Sequence, residues 1–284
     1  MKILNGKELA TLIKTDVRCK VDELNAKGRS VTLAVINVGD DPASHVYVRN
    51  KENACHYCGI NSQIIRLPKD VEQKDLIALI KCLNSDNSIN GILVQLPLPK
   101  HIDERSVLKT IAPNKDVDGF HAINMGNLVL GEKTFIPCTA KGIIELLEYN
   151  DITIEGKHCV VVGRSNIVGK PVAIELLKRD GTVTICHSKT ENLKEICKTA
   201  DILVCAIGKP KFFNNEYITP GAVVIDVGIH RLEDGSLCGD VDFDDVKDIV
   251  SAISPVPNGV GAMTVSMLMK NCIYTVIDNE TFNI

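Results

Sequence analysis

The sequence predicts an α/β protein of two domains, each a parallel sheet flanked by helices. Three observations predict it. The chain has 284 residues, about two domains at ordinary domain size. Buried-strand runs alternate with runs at helical spacing, once up to about Ile111 and again from His158. Between the two blocks, residues 114–136, opening "NKDVDGFHAIN", are rich in turn formers and lose periodicity.

The elements follow in order. Leu9, Leu12, Ile13, Val17, Val21 and Leu24 recur at helical spacing until Gly28 stops the pattern. "VTLAVIN" reads as a buried strand, and a helix runs from about Pro42 to Gly59. "NSQIIRL" is a strand, 71–83 a helix, "GILVQLPLP" a strand running into prolines, and 105–111 a helix. The junction falls in 114–136, with a helix from about Thr139 to Glu148 crossing it. The second block reads strand "HCVVVG", helix Val168–Lys178, strand "TVTIC", helix about Leu193–Lys198, then strands "DILVCAIG", "GAVVIDVG" and "VSAISPV". A helix from about Thr264 to Ile277 closes the chain. The domains expected are 1–119 and 120–264, with the segment about 265–284 packing back on the first.

Composition narrows the function classes. The net charge is −4 with no basic stripe, which argues against nucleic acid. The 11 cysteines are odd in number and mostly lie inside apolar segments, which suits reduced thiols in a cytoplasmic protein. "CHYC" at Cys55–Cys58 has no second Cys pair and lies in a helical pattern, so no metal site is expected. The longest uncharged run, Ile249–Met269, contains Pro255, Pro257, Asn258, Gly259 and Gly261 and would make a poor membrane span.

"VVVGRSNIVGKP" is a strand, a glycine turn and a helix start. Gly163 and Gly169 bracket five residues, so the turn lacks the G-x-G-x-x-G spacing and is not a phosphate loop ending in Lys-Ser/Thr. Its place at the head of a β-α-β block still marks a Rossmann-like dinucleotide turn. A site for NAD usually has an acid about 20 residues on, at the ribose hydroxyls. Here the next strand ends in His187, Ser188 and Lys189, and Arg164 stands in the turn. Donors and positive charge suit a 2′-phosphate, hence NADP. The alternative is that Arg164 and Lys189 are solvated surface charges. "SPVPNGVGAMT" puts small residues before a helix, which suits a phosphate or amide at free N–H groups, or is a plain helix-entry loop.

The first block has polar residues in odd places. Tyr47 and Lys51 share one helix face in "YVRNK". Gln95 lies in the apolar strand "ILVQLPLP", where a buried amide needs a partner. Asp116 and Asp118 open the junction, and "VGDDPAS" is a strand-to-helix turn of the kind that binds ligands in open sheets. Singly, each has a structural reading as core, surface or cap. Together they point to a cleft.

In order along nearly the whole chain, "VGDDPASHVYVRNK", "GILVQLPLP", "KDVDGFH", "PCTAKG", "VVVGRSNIVGKP", "CHSKT", "GAVVIDVG" and "PVPNGVGAMT" resemble the bifunctional methylenetetrahydrofolate dehydrogenase/cyclohydrolase family. The resemblance implies two α/β domains flanking a cleft, the second Rossmann-like and binding NADP, in a homodimer. It places the catalytic role on Lys51, with Tyr47 lining the folate site and Gln95 positioning the lysine. It puts the pterin on Asp118 and further folate contacts on Pro257 and Gly259. It puts the cofactor on Gly163, Arg164, Ser165, Ile167, Gly169, Ser188 and Ile229, with Arg164 and Ser188 at the 2′-phosphate. No metal is implied. The chain departs from the family pattern at Asn258, usually glycine, and at Ala262 and Ala140, usually proline.

The implied chemistry is hydride transfer from 5,10-methylenetetrahydrofolate to NADP, then hydrolysis of the methenyl cation to 10-formyltetrahydrofolate. Hydride transfer needs alignment more than a base. Hydrolysis needs proton traffic, which Lys51 would carry, held by the uncharged Gln95 carbonyl and hydrogen-bonded by Tyr47. Asp118 would accept from adjacent pterin N–H groups. Two rival readings are an NADP dehydrogenase for a small hydroxy or keto acid, and an NADP-sensing module. Asp118 argues against the first, since an anionic substrate would want a cation there. The intact set Tyr47, Lys51, Gln95 and Asp118 argues against the second.

Overall fold

The computed structural model describes residues 1–277. Two parallel sheets organise the chain. In the first block, β2 (Thr32–Val38) is flanked by β3 (Asn61–Leu67) and β4 (Gly91–Val94), both parallel to it. The helices α1 (Gly6–Ala26), α2 (Pro42–Cys58), α3 (Gln73–Ser85) and α4 (Glu104–Thr110) alternate with these strands. Ala34, Ile36, Ile92 and Val94 on the sheet pack with Leu76, Ile80 and Val107 of α3 and α4. Strands buried along their length read as continuous apolar runs, which is why the sequence announced β2 and β4.

The second sheet has the order β1-β11-β8-β7-β5-β6, every pairing parallel. Its strands are β1 (Lys2–Ile3), β5 (His158–Val162), β6 (Thr182–Cys186), β7 (Ile202–Cys205), β8 (Val223–Asp226) and β11 (Ala252–Ile253). From β5 the chain moves one way to β6, then returns to the other side for β7 and β8. The order therefore reverses at β5/β7, where open α/β sheets bind ligands. Helices α6 (Cys138–Tyr149), α7 (Gly169–Leu177) and α8 (Leu193–Cys197) belong to this block. A hairpin of β9 (His230–Arg231) and β10 (Leu237–Cys238) and the short α9 (Phe243–Val246) lie between β8 and β11. α10 (Val260–Ile277) ends the described chain, so the expectation for 278–284 lies outside the described residues.

The compact units are Met1–Thr11 with Pro137–Thr264, and Leu12–Ile136 with Val265 onward. The expected boundary was 119/120, and 120–136 instead belong with the first block. Asp116 Oδ2 accepts from His121 N at 2.7 Å and from Asn124 Nδ2 at 2.8 Å, and Thr134 Oγ1 donates to Asn124 Oδ1 at 3.0 Å. The extreme N-terminus joins the other unit because β1 pairs with β11. α6 lies wholly in that unit.

Residues 122–130 correct the sequence reading. They form α5 (Ala122–Leu130), capped by His121 Nδ1 and by left-handed Gly131, where irregular chain was expected. Val129 and Leu130 are exposed while Asn124 is buried, so the amphipathic pattern that reveals a helix is scrambled. α10 starts at Val260, four residues earlier than expected. It is long and apolar enough to cross a membrane by length and composition, but 61% of it is buried within the protein. Of the free cysteines, Cys55 and Cys58 are buried in α2, and burial pushes their thiols up to about 12 and about 11. They are inert helix residues.

Candidate active site

In the unit of Leu12–Ile136, Asp41 caps α2, accepting from Ser44 N at 2.8 Å and Ser44 Oγ at 2.9 Å. Gly59, at φ 73°, closes the other end. The capped helix carries Tyr47 and Lys51 on one face. Gln95 directly follows β4, and its backbone N–H extends the ladder to Ile36 O at 2.8 Å. Lys51 Nζ donates to Gln95 Oε1 at 2.9 Å, and Gln95 Nε2 donates to Leu96 O at 2.6 Å. The second bond fixes which way the amide faces, leaving its carbonyl for the lysine. An uncharged acceptor orients the amine without tying it in an ion pair. Tyr47 is 42% exposed, and among the described residues its hydroxyl has no hydrogen bond. The expected Tyr47–Lys51 bond is therefore not formed: the lysine side chain goes to the strand end, and the phenol stands open.

The two aspartates of "KDVDG" part company. Asp116 is 1% exposed and spent on His121 N and Asn124. Burial pushes its carboxyl up to about 6, against those hydrogen bonds, which favour the ion. Its neighbours are pinned as well. Ile92 N donates to Lys115 O at 2.8 Å, and Asn271 Nδ2 donates to Val117 O at 2.8 Å. A Cβ on Gly91 would come within 2.7 Å of Val117 Cγ1, so β4 needs glycine there. Asp118, half-buried, sits between pinned Val117 and left-handed Gly119. Asp116 is thus the anchor of this turn. Local pattern in "DVD" does not rank them, and the choice of Asp118 comes from the family resemblance. The signal was Asn124, an amide within an apolar run.

In the other unit, β5 ends at Val162 and Gly163 follows at φ 135°, a region essentially reserved for glycine. A Cβ on Gly163 would lie 2.2 Å from Ala206 O, and one on Gly169 would lie 2.1 Å from Gly163 O. The turn closes backbone on backbone despite its unusual spacing. Ser165 Oγ accepts from Val168 N at 3.2 Å and Gly169 N at 3.3 Å, capping α7. Arg164 and Ser165 are exposed, and Ile167 is half-buried. After β6, a turn held by His187 N to Thr190 Oγ1 (2.8 Å) and Lys189 N to His187 Nδ1 (3.1 Å) leaves Ser188 exposed. Val162 and Cys186 are paired across the ladder, so Arg164 and Ser188 each stand two residues past the same rung. Among the described residues neither side chain makes a hydrogen bond or ion pair. Such a backbone cradle beside free donors, with no acid at 187–190, fits NADP.

Pro257 and Gly259 also lie in this unit. Pro257 is exposed after a cis Val256–Pro257 bond, and Gly259 is buried, its would-be Cβ 2.4 Å from Pro255 O. Asn258 adopts φ 79°, so the residue standing where glycine is usual keeps a glycine-like conformation. Its carbonyl accepts from Lys7 N at 3.0 Å. Ile229, 41% exposed, follows β8 and abuts Gly261 of α10.

Known proteins resemble this chain along both units. Residues 4–118 match the family "Tetrahydrofolate dehydrogenase/cyclohydrolase, catalytic domain" and residues 137–280 its "NAD(P)-binding domain". A protein of Lachnoclostridium phytofermentans named bifunctional protein FolD is 59% identical over 96% of each chain. The crystal structure of the bifunctional FolD methylenetetrahydrofolate dehydrogenase/cyclohydrolase of Campylobacter jejuni superposes with a TM-score of 0.97 at 46% identity, covering 98% of this chain and 99% of that one. The Trypanosoma brucei methylenetetrahydrofolate dehydrogenase-cyclohydrolase, solved with NADP and an inhibitor, gives 0.94 at 38% identity over 98% of each. With both domains matched in order and identity far above the level of shared fold alone, this chain belongs to the tetrahydrofolate dehydrogenase/cyclohydrolase family.

Proposed function

We propose that one lysine, Lys51, moves the protons for the second of two reactions this protein performs. The protein oxidises 5,10-methylenetetrahydrofolate to the 5,10-methenyl form with NADP, and hydrolyses that product to 10-formyltetrahydrofolate. The observation that carries the reading is the 2.9 Å bond from Lys51 Nζ to the Gln95 carbonyl. It aims an amine without neutralising it. NADP, when bound, supplies the hydride acceptor. Gly163, Gly169 and the backbone around Ser165 and Ile167 cradle it, Arg164 and Ser188 donate to the 2′-phosphate, and Ile229 bounds it.

Asp118 accepts from adjacent pterin N–H groups and so orients the folate for both steps. Tyr47 flanks the folate ring, with Pro257 and Gly259 as further substrate contacts. A methenyl cation beside an ammonium favours the amine's loss of a proton. The amine then takes a proton from attacking water and returns one as the ring opens. The protein works in one-carbon metabolism as a cytoplasmic homodimer.

Lys51→Arg tests the reading. Arginine keeps the charge but holds its proton. Methenyl decay should slow about 10²–10⁴-fold, while NADPH formation falls less. The two are followed separately in one purified variant. Near-normal hydrolysis would remove Lys51 from proton transfer.

A further inference from the structure

The loops after β7 and β8 are held by a carboxylate that none of the chemistry above uses. Asp240 is fully buried. Its Oδ2 accepts from Ile207 N at 2.7 Å and Gly208 N at 3.0 Å. Its Oδ1 accepts from Lys209 N at 2.9 Å and His230 Nε2 at 2.8 Å. Three consecutive amides on one anion is how backbone nests bind phosphate. Here the protein supplies the anion itself.

The surroundings are built for it. A Cβ on Gly228 would lie 2.3 Å from Asp240 Oδ1, so glycine leaves room for the carboxylate. A second buried acid fixes the backbone of the first: Asp226 Oδ1 accepts from Asp240 N at 2.9 Å and Gly228 N at 3.1 Å, and Oδ2 accepts from Val241 N at 3.0 Å. A Cβ on Gly239 would in turn lie 1.8 Å from Asp226 Oδ2. The hairpin of β9 and β10 returns the chain so that Asp240 can reach back to the end of β7.

Strand order says what those loops face. Arg164 and Ser188, after β5 and β6, take the 2′-phosphate half of the dinucleotide in the reading above, on which this inference rests. The glycine turn after β5 takes the pyrophosphate. The remaining half, the nicotinamide riboside, must extend across the reversal point toward the ends of β7 and β8. There stand Ile207–Lys209 and, between Gly228 and His230, Ile229. We propose that Asp240 is a positioning residue for the nicotinamide half of NADP. It locks the loop after β7 through three amides and the loop after β8 through His230, so that both are formed before the cofactor arrives.

The test uses the full chain with NADPH as the fluorescent probe. Asp240→Asn puts an amide nitrogen where an oxygen accepted an N–H. NADPH affinity should fall roughly tenfold or more, while folate affinity measured without cofactor stays at the wild-type value. Amide exchange should accelerate at Ile207, Gly208 and Lys209 and stay slow in β5. In turnover, KM for NADP should rise with KM for folate unchanged. His230→Gln keeps a donor and should lose less than His230→Ala. Unchanged NADPH affinity in Asp240→Asn overturns the proposal. So does equal loss of folate and NADPH binding with exchange accelerated throughout, which marks a merely structural acid. If Asp240→Asn does not fold, unchanged affinity in His230→Ala overturns it. A wild-type chain that binds no NADPH would instead sink the functional reading itself.

Discussion

The two units build their sites from different materials. In the proposed reading the working atoms around Lys51 are side chains, aimed by other side chains: Gln95 holds the lysine, and the buried Asp116 holds the turn that carries Asp118. Around Gly163 the proposed cofactor surface is backbone, and what matters is the side chain that is missing. A side-chain site can lose its chemistry and keep its fold. A backbone site cannot, because the conformation that binds is the conformation that packs. The units should therefore respond to substitution in opposite ways.

Asp118→Ala should show the largest effect after the lysine variant. Losing a charge-assisted pair to the pterin costs roughly 1.5–3 kcal/mol, so both reactions slow and folate affinity drops by more than any loss of thermal stability. Normal folate binding would reduce Asp118 to a turn residue. Gly163→Ala should couple the two properties that Asp118→Ala separates. Forcing a Cβ toward Ala206 O at φ 135° costs about 1–3 kcal/mol of strain. Calorimetry should show lower stability and weaker NADPH binding together, and a loss of one without the other would break the contrast.

Gln95→Leu should be milder, since the lysine loses one hydrogen bond to an uncharged acceptor, worth about 1.5 kcal/mol. Hydrolysis slows several-fold, with hydride transfer and thermal stability nearly intact. If both activities fall equally, the amide is not there for the lysine.

The smallest effect is a slope. Burial pushes the Asp226 carboxyl up to about 7, above its unfolded value near 3.9. The folded state therefore binds the extra proton between those pH values. The contribution to stability is full below about pH 4 and is lost as pH rises through about 7. Asp226→Asn has no such proton, so its melting temperature should gain on the parent's between pH 5 and 8. A constant difference would mean that Asp226 stays ionised. Asp116, at about 6, has the same sign in the other unit.

The sequence by itself determined most of the longer elements and their order, because buried strands and glycine stops are written locally, but not the short β1, β9, β10 and α9. β3 begins and ends where "NSQIIRL" does. It determined the glycine turn, Arg164 and the Tyr47–Lys51 face for the same reason: each is a pattern within a dozen residues. It missed α5, whose exposed Val129 and Leu130 erase the periodicity, and placed the junction early, because Thr134 and Asn124 tie the chain back to Asp116 across a stretch without local pattern. Only the tertiary structure decided which polar residue meets which. Lys51 and Gln95 are 44 residues apart, and His230, Asp240 and the amides of 207–209 come from three separate segments. A buried carboxylate takes whatever donors the fold brings within 3 Å, and that choice depends on strand order and hairpin return, which no local period of the chain encodes.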